Sequence, residues 1–165
     1  MLTDVISDLV TSRAIQILVI SLISMWFCQI LKFAIASVRF KELKWYLLVS
    51  TGGFPSSHTS FCVALCLCLG VFQWHDLEML DWCFSIAVVF SFIIIHDAMG
   101  VRLEASRHAK ILNRIDLDLT EEEREEIGFG KDGKLKEMLG HRLREVMGGV
   151  LVGLLVGAIG CLICL

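Results

Sequence analysis

The sequence predicts an all-α, polytopic membrane bundle of about four transmembrane helices, with a cytoplasmic helical insertion between the third and the fourth. Three observations carry that prediction. The 165 residues are 56% hydrophobic and 20% charged, with a mean hydropathy of +0.71, too apolar for a soluble domain of this size. The apolar residues gather into four runs, each close to the roughly 20 residues that a helix needs to cross a hydrocarbon layer. The charges gather between the runs, and the basic ones gather on one side.

The first run extends from about Ala14 to Ile35 with Lys32 near its end, the second from about Ser56 to Trp74, the third from about Trp82 to Val101 and the fourth from about Val146 to Leu165. Each is expected to be helical, because an open strand in lipid leaves its backbone groups unpaired. A short connection with His75, Asp76, Glu78 and Asp81 separates the second from the third, and a long charged linker, 102–145, separates the third from the fourth. Residues 1–165 are read as one membrane domain. Asp4 and Asp8 stand where a secretory signal would carry basic residues, so no signal peptide is expected.

Of the 15 lysines and arginines, all but Arg13 fall either at or just after the end of the first run or between the third and the fourth. The positive-inside bias therefore places both long connections in the cytoplasm and both termini outside. Trp45 and Tyr46, and Trp74 and Trp82 at the opposite turn, suit the aromatic belts of the two interfaces.

Within the linker, "RLEASRHAKILNRI" has apolar residues at helical spacing among basic ones, as in a helix leaving the membrane or lying along it. Thr120 followed by Glu123 has the capping-box pattern that opens a short polar helix, which Gly128 can end. The acidic run from Glu121 to Glu126 reads as a solvated helix face rather than a cation site. The seven cysteines all lie in apolar runs without companion ligands, and are read as small packing residues. Gly149, Gly153 and Gly157 recur at four-residue spacing, which suits close packing within the bundle or a homodimer face.

The topology brings four polar clusters to one membrane face. Lys32 and Arg39 end the first run, "GGFPSSH" opens the second, His96, Asp97 and Arg102 close the third, and His141 and Glu145 introduce the fourth. Ionisable groups at the inner ends of membrane helices point to function, with snorkelling as the plain alternative for Lys32 and Arg39. In "GGFPSSH", Pro55 is pre-set for a first helical turn, Ser56 or Ser57 can cap it, and the free N–H groups at a helix start form an anion cradle. His58 then stands beside the anion to give or take a proton; the alternative is a plain cap with an interfacial histidine. His141 and Glu145, four residues apart, share a face if helical, so the carboxylate can fix the imidazole tautomer as a nucleophile requires, although solvated helices show the same spacing. Asp97 is expected to pair with Lys32 or Arg102.

"KFAIASVR" with its Lys-x6-Arg spacing, "PSSH", and "HRLRE" with its His-x3-acid spacing resemble, in chain order, the three signature motifs of the type 2 phosphatidic acid phosphatase and vanadium haloperoxidase superfamily. "GGFPSSHTS", "HDAMGVR" and "GHRLREVMGGVLVG" look like its divergent branch of small bacterial and plant membrane proteins. The resemblance runs from Lys32 to about Gly157 and implies a hydrolase in a bacterial plasma membrane acting on a lipid or isoprenoid phosphate. It implies that Lys32, Arg39, Ser56 and Ser57 hold phosphate oxygens, that His58 protonates the leaving alcohol, and that His141, oriented by Glu145, forms a phosphohistidine. No metal, cofactor or nucleic-acid partner is expected in this scheme. Phe40, Ser57 and Glu145 stand where the family pattern has proline, glycine and aspartate, and Lys134 and Leu135 stand where it has Ser-Arg. Arg102, Lys134 or Lys136 are the candidates to replace that arginine. The rival readings are a protein that binds or transports a lipid phosphate without cleaving it, and a structural subunit with no ligand.

Overall fold

The structure is a computed structural model, and it describes residues 12–41, 45, 52–115, 120–127, 135 and 140–165. Among these are six helices: α1 Arg13–Phe40, α2 Ser57–Leu77, α3 Trp82–Met99, α4 Val101–Leu112, α5 Glu121–Ile127 and α6 Leu143–Cys164. Four spans, Arg13–Arg39, Ser57–Leu77, Trp82–Leu112 and Leu143–Cys164, are long and apolar enough to cross a membrane. Their outward faces carry the large apolar side chains that lipid would cover, such as Ile23, Phe27, Phe90, Phe92 and Leu155.

Two boundaries and one cap differ from the sequence expectation, each with a consequence for the polar end of the bundle. Helix α1 continues past Ile35 to Phe40 and ends on Lys41, which adopts a left-handed φ of 55°. Lys32 is therefore two turns inside the helix, and is buried. Ser56 is the N-cap of α2, its Oγ accepting from Thr59 N, so Pro55 precedes the cap instead of sitting in the first turn. Helix α6 starts at Leu143, a turn early, because Glu145 accepts from the Arg142 N–H and satisfies an orphan donor of the helix start. Helix α3 breaks at Gly100 and resumes as α4, whose exposed face carries Arg102, Glu104, Arg107 and Lys110.

Helix α2 is the centre of the bundle, packed most extensively on α6 and then on α1 and α3. The α6 glycines make that packing possible. A Cβ on Gly149 would lie 2.4 Å from the Ser56 carbonyl oxygen, and one on Gly153 would lie 2.7 Å from that of Ser60. The glycine ridge is thus packed against α2 within the chain. Hydroxyls seal the α1–α2 contact, where Ser24 and Ser60 are buried and bonded to each other and to each other's backbone carbonyls. The described cysteines pack as small residues: all seven are free, and Cys68 and Cys161 join Ile20 and Phe72 in the apolar core.

At the end of the bundle away from the motifs, Arg13 bonds both carboxylate oxygens of Asp76 at 2.7 and 3.0 Å, reaches the Cys164 carbonyl at 2.9 Å and lies over the Phe72 ring. One guanidinium thus ties α1, α2 and α6 together. Arg13→Ala should lower the thermal midpoint of the detergent-solubilised protein, and Arg13→Lys should restore only part, because an ammonium cannot reproduce the two-pronged fork. Equal midpoints for the parent and the alanine variant would show that the clamp contributes nothing.

Candidate phosphate site at one end of the bundle

The "GGFPSSH" loop is fixed from two sides. Gly53 adopts φ +100°, a conformation that side-chain-bearing residues rarely take, and curls over the stem of Lys32. On the other side, the Ser56 N–H donates to the Glu145 carbonyl at 2.9 Å, while Phe54 and Pro55, joined by a cis peptide, pack against Gly148. Thr59 N is bonded to Ser56 Oγ and Ser60 N to Ser56 O. Among the described residues, the N–H groups of Ser57 and His58 are therefore the first-turn donors that the helix itself does not pair. Ser56 and Ser57 are themselves buried, the first as a cap.

His141 is placed by its backbone and by its ring. Its N–H donates to the Ala98 carbonyl at the end of α3, at 2.9 Å. Gly140 allows this approach, since a Cβ there would lie 2.4 Å from the backbone of Leu103. The ring Nδ1 meets Glu145 Oε2 at 3.2 Å, with both side chains buried. His141 lies ahead of the helix, so the contact comes from the turn into α6 and not from two residues on one helical face. With Nδ1 engaged, Nε2 is the nitrogen left to face a ligand.

The His58 and His141 ring centroids are 6.5 Å apart. Both rings line a cleft of about 210 Å³ together with Ile93, Ile94, Asp97, Ala98 and Arg102. Asp97 is paired with Arg102 across the Gly100 break. Lys32 lies within electrostatic range of Glu145 and of both histidines, and Arg102 within range of both rings. Arg39 is exposed about 10 Å farther along the same face of α1 and is not among the described residues lining the cleft. His96 stacks on Phe92 on the outer face. Lys134 and Lys136 lie outside the described residues, but Leu135, where the family pattern has arginine, is held by Asn113 through two backbone hydrogen bonds of 2.8 and 2.9 Å. Among the described residues, no group of three or more His, Cys, Asp or Glu gathers as a metal site.

Sequence reasoning missed Ile93, Ile94 and Ala98 as lining residues. Their signal was faint: Ile94, Ala98 and Arg102 follow a four-residue helical stripe back from the one arginine already singled out.

Burial pushes the His141 imidazole below the usual histidine range, against the Glu145 contact, which pulls it up; the Lys32 and Arg102 charges add to the lowering. A lowered folded-state value means that the unfolded chain takes up the proton first. His141 therefore contributes stability that is present above the ordinary value of about 6.5 and is lost as pH falls below it.

The four-span bundle thus brings two histidines and an arginine to one small cleft at its polar end, with Lys32 within electrostatic range of both rings. The chain belongs to the Divergent PAP2 family, the match covering residues 14–156. It is similar to the uncharacterized membrane protein YuiD of Bacillus subtilis (strain 168), at 36% identity over 142 residues, covering 82% of this chain and 87% of that one. No solved structure gives a match.

Proposed function

We propose that the protein is a membrane-bound phosphatase that hydrolyses a lipid or isoprenoid phosphate through a phosphohistidine. The single observation carrying this reading is the pair of imidazoles, centroids 6.5 Å apart, over one cleft. An attacking nitrogen roughly 3 Å from phosphorus, and an acid roughly 3 Å from the leaving oxygen, need about that spacing. His141 Nε2 forms the bond to phosphorus as the phosphorus–oxygen bond to the alcohol breaks, and His58 gives the departing oxygen its proton. Water then displaces His141 and releases inorganic phosphate. Lys32, Arg102 and the first-turn N–H groups of α2 hold the equatorial oxygens, supplying the electrostatic stabilisation without a metal. Glu145 orients His141 and steadies the imidazolium.

The apolar wall favours a lipid substrate over a soluble one. Ile94 lines both this cleft and an apolar one of about 340 Å³ between α2 and α3, where Phe61, Leu65 and Phe90 offer a surface to a hydrocarbon tail. The basic bias of the connections supports a cytoplasmic site, and labelling of a cysteine placed between Glu121 and Glu126 from outside intact cells would overturn that orientation.

Purified protein should release phosphate from a lipid phosphate in mixed micelles. His58→Ala should slow esters of poor leaving groups by about 10² to 10⁴ while largely sparing a nitrophenyl ester, which needs little protonation. Because His141 must be neutral while His58 is protonated, kcat/KM should follow a bell in pH, its acid limb lying below about 6.5. A flat profile would count against paired histidines.

Leu135 in the place of the family's arginine, and the pairing of Arg102 with Asp97, favour a second reading in which the cleft binds lipid phosphate without cleaving it. Stabilisation by vanadate with no turnover on any lipid phosphate would select it.

A further inference from the structure

A second cleft of about 560 Å³, lined by Glu145 but by neither motif histidine, lies between α4, the "GGFPSSH" loop and the start of α6. Four cations line it: Arg107 and Lys110 from α4, and Arg142 and Arg144 from the turn into α6. Arg107 is paired with Glu104, whereas Lys110, Arg142 and Arg144 have no carboxylate partner among the described residues. Glu145, the one acidic lining residue, already has an oxygen engaged by His141 and by the Arg142 N–H. The cleft therefore holds an excess of positive charge that the described residues do not neutralise.

Its rim is apolar. Leu103 and Leu143 line it, and Leu143 is 63% exposed. Cations flanked by exposed aliphatic side chains at the end of a membrane span match a headgroup with its chains attached better than a free ion, which has nothing to offer those side chains.

We propose that this cleft binds the headgroup of an anionic phospholipid from the surrounding leaflet, at a site separate from the one between the histidines. The phosphodiester and any second anionic group sit among Lys110, Arg142 and Arg144, and the glycerol and chains leave over Leu143 and Leu103. The assignment does not depend on whether His141 is a nucleophile. Glu145 lines this cleft and bonds His141, so an anion here offsets cations that would otherwise compete with His141 for that carboxylate.

Native mass spectrometry of the full chain in detergent tests this, with phosphatidylglycerol and phosphatidylcholine of the same chains as probes. Phosphatidylglycerol should be retained in preference, and Lys110→Ser with Arg144→Ser should weaken that preference by about tenfold or more, the loss expected for two basic groups beside an anionic headgroup. High salt should reduce it in the parent as well. Vanadate stabilisation, which reads the first cleft, should persist in the double variant and so show that the protein still folds. Equal retention of the two lipids, or an unchanged preference in the folded double variant, would overturn the proposal. So would displacement of phosphatidylglycerol by inorganic diphosphate at equal concentration, which would assign the cleft to a free phosphate anion.

Discussion

Replacement of His141 by alanine should abolish phosphate release while the protein still extracts, folds and melts as a membrane bundle. In the proposed scheme this ring forms the covalent bond, so what remains should be no more than the binding and electrostatic contributions of Lys32, Arg102 and the α2 start. The ring is buried, and its removal deprives Glu145 of its imidazole partner. A moderate loss of stability is therefore expected beside the loss of turnover, and vanadate binding separates the two effects. Vanadate needs the cations more than the imidazole, so its stabilising effect should weaken but survive. Glu145→Gln keeps the shape of the contact while removing its charge, and should give an intermediate rate. Unchanged phosphate release by His141→Ala would remove the nucleophile from the account.

Gly149→Val should be the most damaging single substitution away from the histidines. Even the first carbon of a side chain would lie 2.4 Å from the Ser56 carbonyl and 2.8 Å from Thr59 Cβ, and backbone cannot yield as a flexible side chain can. Forcing extra carbons into such a contact costs about 1 to 3 kcal/mol. The strain falls on the segment that caps α2 and carries His58, so turnover should drop together with the thermal midpoint. Gly160→Ala is the matched control: its Cβ would meet only the Ile20 side chain, at 2.6 Å, far from the motifs. It should lower the midpoint less and leave the rate of the surviving folded protein near that of the parent. If Gly149→Val melted and turned over like the parent, the close α2–α6 contact would be wrong.

The spans were legible because hydrocarbon thickness fixes a length and lipid demands apolar faces, and Ala14, Ser56 and Trp82 all fall within a residue of an observed helix start. The convergence of Lys32, His58, Arg102 and His141 was legible from counting spans and basic residues, because an even number of crossings returns each motif to one face. Asp97 found Arg102, one of the two partners its charge demanded. What could not be read was anything decided by contact across the chain. The burial of Lys32 depends on Gly53 lying over its stem, and the placing of His141 depends on an Ala98 carbonyl and on the missing side chain of Gly140. Neither has a local pattern. The second cleft escaped for the same reason: Lys110 and Arg144 are 34 residues apart in sequence and look like ordinary linker charges until α4 and the turn into α6 are set side by side. Arg39 shows the converse: neither it nor Lys32 lines the cleft, but Lys32 is buried within range of both rings whereas Arg39 is exposed near the end of α1.

The most direct test of the central claim is peptide mapping of the protein quenched into alkali during turnover of a lipid phosphate, conditions under which a phosphoramidate survives and a carboxyl phosphate does not. The account predicts a phosphoryl group on the peptide containing His141, formed as fast as the first alcohol is released and absent from His141→Ala. Steady phosphate release with His141 unmodified throughout, or with the phosphoryl group on another residue, would contradict it.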